Sequence, residues 1–167
     1  SDLVVVGDSI TAGFTEYDIL NASSVAAQIG VHLYETDDLI AQVKNLGPGI
    51  IFLSLGMNDV EATNGDTEEF STQYTAVIDK IKEELPDAHV FVNAIFPVQD
   101  TVIEQKPILA KIPDYNEVLK ELCDKLRVGF IDSTELVQQE YYEQDGTHFK
   151  AEFYPIWAEH MAEVAAL

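Results

Sequence analysis

Ser9, His148 and Asp145 are the residues of this chain whose types suit nucleophilic chemistry. Ser9 stands in Gly7-Asp8-Ser9-Ile10, directly after the apolar run Leu3-Val4-Val5-Val6. A serine hydroxyl is a weak nucleophile until a neighbouring base takes its proton. His148, in Asp145-Gly146-Thr147-His148 near the far end, is the best-placed base. An imidazole accepts and returns a proton near neutral pH. Asp145 can reach the other ring nitrogen, fixing the tautomer and stabilising the imidazolium. An attacked carbonyl develops negative charge that donors must meet. Asn58, in Gly56-Met57-Asn58-Asp59, offers its side-chain amide, and Ser9 its own backbone N–H; one such donor is typically worth ~10²–10³ in rate. The set points to acyl transfer.

These clusters can act together only if the fold gathers them. Apolar runs at 3–6, 25–29, 50–55, 90–95 and 128–131 have strand length and are rich in β-branched residues. Helical patterns lie between them. Leu39, Ile40, Val43 and Leu46 form one stripe, with Thr36 as cap and Asp37 and Asp38 in the first turn. Phe70, Tyr74, Val77, Ile78, Ile81 and Leu85 form another, opened by Asp66 and Glu69 as a capping box and stopped at Pro86. Pro113 fits the first position of a third helix, and Phe153, Ile156, Trp157, His160, Met161 and Val164 line a fourth. Strands alternating with helices predict a parallel sheet covered on both faces. In such a sheet all carboxyl ends share one edge, where ligands sit. The longest irregular stretch, 96–112, reads either as a wall of the substrate site or as a plain surface connection.

A chain of 167 residues fits one domain, residues 1–167, and buries roughly two-thirds of its surface on folding. It opens at Ser1, one residue before strand-like sequence, which suggests trimming from a longer precursor and fits a secreted or cell-surface setting. Thirty acidic residues against nine basic give a formal charge of −21. Such a surface repels phosphate backbones, so nucleic acid and anionic membranes are poor partners, and no apolar run reaches the ~18 residues of a membrane span. Cys123 is the only cysteine, so no internal disulfide forms; its place on an apolar helical stripe predicts a packed thiol.

The segments Gly7-Asp8-Ser9-Ile10, Gly56-Met57-Asn58-Asp59 and Asp145-Gly146-Thr147-His148 resemble, in order and spacing, three sequence blocks of the SGNH, or GDSL-type, hydrolases. A lone G-D-S is weak evidence, whereas three blocks in order, each after a strand, are specific. The resemblance implies a flavodoxin-like, three-layer α/β/α sandwich on a five-stranded parallel sheet, and ester hydrolysis without a metal or cofactor. By position, Ser9 would be the nucleophile, His148 the base, Asp145 its partner and Asn58 an oxyanion donor, while Asp8 would orient the nucleophile turn. The family's second block usually carries G-x-x-G, whose second glycine donates its backbone N–H to the oxyanion. Here the segment reads Gly30-Val31-His32-Leu33, which puts Leu33 in that role and predicts a narrower pocket.

The substrate expected on these grounds is a short-chain acyl ester, foremost an acetyl ester, on a carbohydrate or other small molecule. An O-acyltransferase with the same triad is the near alternative. More distant ones are a metal-dependent phosphoesterase built from Asp8, Asn58, Asp59, Asp145 and His148, and an inactive glycan-binding module. Taken singly, Ser9 also reads as a helix cap, Asn58-Asp59 as a turn and His148 as a surface residue, while His32 reads first as an uninvolved loop histidine and second as a pocket residue beside Leu33. Tyr141-Tyr142 reads as packing before it reads as substrate contact. His89 and His160 have no evident partner in the sequence.

Overall fold

The five apolar runs become five strands, β1 (Leu3–Gly7), β2 (Val25–Ala27), β3 (Ile50–Ser54), β4 (His89–Asn93) and β5 (Gly129–Ile131). The computed structural model describes residues 2–167. All strand pairs are parallel, in the order β2-β1-β3-β4-β5. Helices α1 (Ser9–Glu16), α2 (Asp37–Leu46), α3 (Met57–Thr63), α4 (Thr67–Glu84), α5 (Asp100–Gln105), α6 (Ile112–Leu126) and α7 (Phe153–Val164) supply the connections.

Alternation along the strands feeds two cores. Val4, Val6, Ile51, Leu53 and Val92 pack under α2, α3, α4 and α6. Val5, Phe52 and Ile131 pack on the other face, against Phe14 of α1 and Phe153, Tyr154, Trp157 and Met161 of α7. Both faces are therefore buried, which is why the strands read as continuous apolar runs rather than alternating ones. The aromatic layer over the second face is dense: Phe96 meets Trp157, Phe149 and Phe153 edge-on at centroid distances of 4.8, 5.1 and 5.4 Å.

Several boundaries differ from expectation, each for a local reason. β2 stops at Ala27 rather than residue 29, because Gly30 at φ +72° turns the chain and leaves Ile29 76% exposed. β4 ends at Asn93; beyond it Ile95 pairs with the Asn116 side chain, its N–H donating to Oδ1 at 2.7 Å and its carbonyl accepting from Nδ2 at 2.8 Å. The stretch 96–112 is not irregular throughout: it holds α5 and a 3-10 turn at Pro107–Lys111. α3 was not legible at all; Asn58-Asp59 lies in a helix, not a turn. Asp66 caps α4 by accepting from Glu69 N–H at 3.0 Å, but Glu69 turns away to Gln73 and the box stays half made. Pro113 is the second residue of α6, and Thr36 makes no side-chain cap.

The strand order places the site. β1 is flanked by β2 on one side and β3 on the other, so the connections leaving the carboxyl ends of β1 and β3 diverge and open a crevice there. Gly7 and Ser54 are register partners at that edge. A Cβ on Gly7 would collide with the Thr11 side chain and the Ser54 carbonyl, so only glycine lets α1 start this close to β3.

Candidate active site

Ser9 is the first residue of α1, and Asp8 is its N-cap, with Oδ1 accepting from the Ile10 N–H at 3.0 Å. The cap holds the sharp turn from strand to helix and leaves the Ser9 N–H among the unpaired donors of the first turn. The role read for Ser9 as a mere cap thus falls to Asp8. Asp8 is buried, and burial pushes its carboxyl up to about 6 despite the Ile10 hydrogen bond and the nearby imidazole.

His148 arrives from the segment that precedes α7. That segment is a tight reversal: Glu143 N–H donates to the His148 carbonyl at 2.8 Å, and Gly146 adopts φ +75° between them. Asp145 Oδ1 accepts from the backbone N–H groups of Thr147 and His148, both at 2.9 Å. Its other oxygen lies 2.6 Å from His148 Nδ1. Burial acts most strongly on the Asp145 carboxyl and acts upward, but these three hydrogen bonds outweigh it and hold the group below its ordinary value. An ionised carboxylate only accepts, so the ring proton sits on Nδ1 and Nε2 is left as an acceptor. Ser9 Oγ is 2.8 Å from that Nε2. Hydroxyl, imidazole and carboxylate touch in sequence.

Asn58 lies one residue into α3, opposite Ser9 across the crevice, and one of its amide hydrogens goes to the Val31 carbonyl at 3.1 Å. Its second amide hydrogen remains for the cavity, which Asn58 lines together with Ser9 and His148. Leu33 departs from expectation. It is 3% exposed, lies outside the cavity lining, and its N–H donates to Asp59 Oδ1 at 3.0 Å. The reason is Asp59: its carboxylate is fully buried, and the Leu33 amide serves one of its oxygens, Oδ1, while Oδ2 is left without a hydrogen-bond partner. Leu33 therefore offers no free N–H to an oxyanion in this structure.

Asp59 binds the same loop a second time, through His32 Nδ1 at 3.3 Å, and His32 stacks on Tyr34. Burial raises the Asp59 carboxyl, opposed by these two contacts. His32, read as uninvolved, is thus a partner of the α3 anchor; nothing in its sequence neighbourhood signalled this. Of the residues weighed for a metal site, Asp59 faces the 30s loop rather than the crevice. Among the described residues no group of three or more His, Cys, Asp or Glu is placed to hold an ion. His160 has a partner after all, the Ser133 hydroxyl at 2.8 Å. Tyr142 packs in the second core and donates to the Pro97 carbonyl. Cys123 is buried, and burial pushes its thiol up to about 12.

The cavity beside Ser9 has a volume of about 240 Å³. Met57 of α3, Val102 of α5 and Leu109 give it apolar walls, and Glu61 and Lys106 complete it. The stretch 96–112 is therefore a wall of the crevice and not a plain connection. Of its contributions, only the presence of a long, mixed-polarity segment was visible beforehand.

The family described as GDSL-like Lipase/Acylhydrolase matches residues 5–156. No curated protein matches the chain. Among solved structures, a GDSL-like lipase from Bacteroides thetaiotaomicron superposes with a TM-score of 0.76 at 19% identity, covering 99% of this chain and 88% of its own. A family 3 carbohydrate esterase from Clostridium thermocellum gives 0.72 at 19%, covering 96% and 92%. An acetyl-xylooligosaccharide esterase from Geobacillus gives 0.68 at 15%, covering 99% and 94%. At these identities the likeness is one of fold.

Proposed function

The chain belongs to the GDSL-like lipase/acylhydrolase family and is an ester hydrolase of that type; from this we propose that it is a serine esterase removing short acyl groups, acetyl foremost, from a carbohydrate or another small alcohol. The observation that carries the reading is the unbroken run of contacts from Ser9 Oγ to His148 Nε2 at 2.8 Å and from His148 Nδ1 to Asp145 at 2.6 Å.

Ser9 Oγ attacks the ester carbonyl carbon while its proton passes to His148 Nε2. Asp145 stabilises the imidazolium so formed. The carbonyl oxygen, now an oxyanion, is met by the Ser9 N–H and the free amide hydrogen of Asn58. Collapse of the tetrahedral intermediate breaks the bond to the alcohol oxygen, which takes the proton from His148 and departs. Water then attacks the acyl-serine, giving its proton to His148. The second collapse releases the acid and returns the proton to Ser9. With Leu33 committed to Asp59, this oxyanion site works with two donors.

Two features support a short acyl group: the small cavity and its limited apolar wall. The two carbohydrate esterases of the same fold make an acetylated sugar the first substrate to try. Labelling with a fluorophosphonate probe and mapping the modified residue tests nucleophile and chemistry together. Modification at Ser9, lost in Ser9→Ala along with turnover of p-nitrophenyl acetate, is the expected result. Wild-type rates in Ser9→Ala would overturn the mechanism.

A further inference from the structure

Glu61 Oε1 and Lys106 Nζ form an ion pair 2.9 Å long, and both residues line the Ser9 cavity. Glu61 follows Asn58 by three residues on α3, so it points the same way and sits ~4.5 Å further along the axis. Lys106 follows Val102 by four residues at the end of α5, where its N–H donates to the Val102 carbonyl at 2.8 Å. The pair therefore ties α3 to α5 one helical turn beyond Asn58 and Val102. Met57, Val102 and Leu109 supply the apolar surface of the same cavity.

The direction of the substrate follows from the chemistry. His148 must reach the leaving oxygen, so the alcohol lies beside the imidazole and the acyl substituent takes another direction. Resting on the serine-esterase reading above, we propose that the acyl substituent extends along α3 and that the Glu61–Lys106 pair is the acyl-length selector, an ionic clasp that closes the end of the acyl pocket.

The clasp is not a fixed wall. The Lys106 and Glu61 side chains are 57% and 44% exposed, and ion pairs at such positions are weak and screened by salt. Acyl-length preference consequently depends on ionic strength. Opening the pocket to two more methylenes changes relative transition-state binding by about tenfold.

The test measures kcat/KM for p-nitrophenyl acetate and p-nitrophenyl butyrate at about 0.01 M and about 1 M sodium chloride. It compares wild type, the Glu61→Ala/Lys106→Ala double variant and the reversed pair Glu61→Lys/Lys106→Glu. The butyrate-to-acetate ratio should rise with salt in wild type. In the double alanine variant it should be about tenfold higher at low salt and insensitive to salt. The reversed pair should restore both the wild-type ratio and its salt response. A wild-type ratio that ignores salt overturns the clasp without any variant, as does an unchanged ratio in a folded double variant. Ser9→Ala runs alongside: activity that survives it defeats the serine-esterase reading, whereas Ser9-dependent activity with an unaltered ratio defeats the clasp alone.

Discussion

Asp145 sets the tautomer of His148 because a carboxylate can only accept the Nδ1 proton. An asparagine in its place offers an amide donor to Nδ1, which leaves the ring proton on Nε2, where it blocks transfer from Ser9. Asp145→Asn should therefore lower kcat by roughly 10²–10⁴-fold with KM little changed, impairing the enzyme without erasing it. Asp8 makes a different prediction, about stability. Its carboxyl is raised by burial from 3.8 to about 6, so the folded state holds the proton more tightly than the unfolded chain does. The penalty is absent below the unfolded value and grows as pH rises from about 4 through about 6. Asp8→Asn keeps the N-cap and removes the titration. The variant should gain on the order of 3 kcal/mol relative to wild type between pH 4 and 7, measured as the pH dependence of the difference in Tm. No pH dependence of that difference would show that Asp8 does not titrate as its burial requires.

At the scale of elements, α3 and the loop before α2 act as one unit. Asn58 donates to Val31, and Asp59 accepts from Leu33 and lies against His32. Asp59→Ala would strand the buried Leu33 N–H, costing about 1–3 kcal/mol, and would loosen the loop that holds the Asn58 amide. Thermal unfolding should show the loss, and kcat should fall further than the loss of folded protein accounts for. This unit was the least legible in the sequence. The seven residues of α3 are too few for a helical period to emerge, and its binding to the loop is a long-range contact between polar groups that leave no pattern. The four longer helices, by contrast, were visible because each buries a continuous stripe.

For the whole molecule, a charge of −21 on 167 residues makes self-repulsion a standing cost. The exposed pairs Lys44–Glu84 and Lys80–Asp37 return little of it. Adding salt up to about 0.15 M should therefore raise Tm, because screening relieves more repulsion than attraction. A Tm that falls over that range would mean the few ion pairs outweigh the net charge. Among the described residues no helix is long and apolar enough to cross a membrane.

Ser9 and Asn58 were legible from sequence because they closely follow β1 and β3, and parallel strands bring their carboxyl ends to one edge; Asp145 and His148 were legible as a block after the last strand, although two 3-10 turns separate them from β5. That argument fixes which residues meet, but not which atoms are free once they do. Only the tertiary structure decided that Leu33 gives its N–H to Asp59, and that Glu61 and Lys106 pair with each other in the lining of the cavity. Both outcomes depend on where buried polar groups and long side chains find partners in space. Hydrophobic periodicity, which writes the elements into the sequence, carries no record of that pairing.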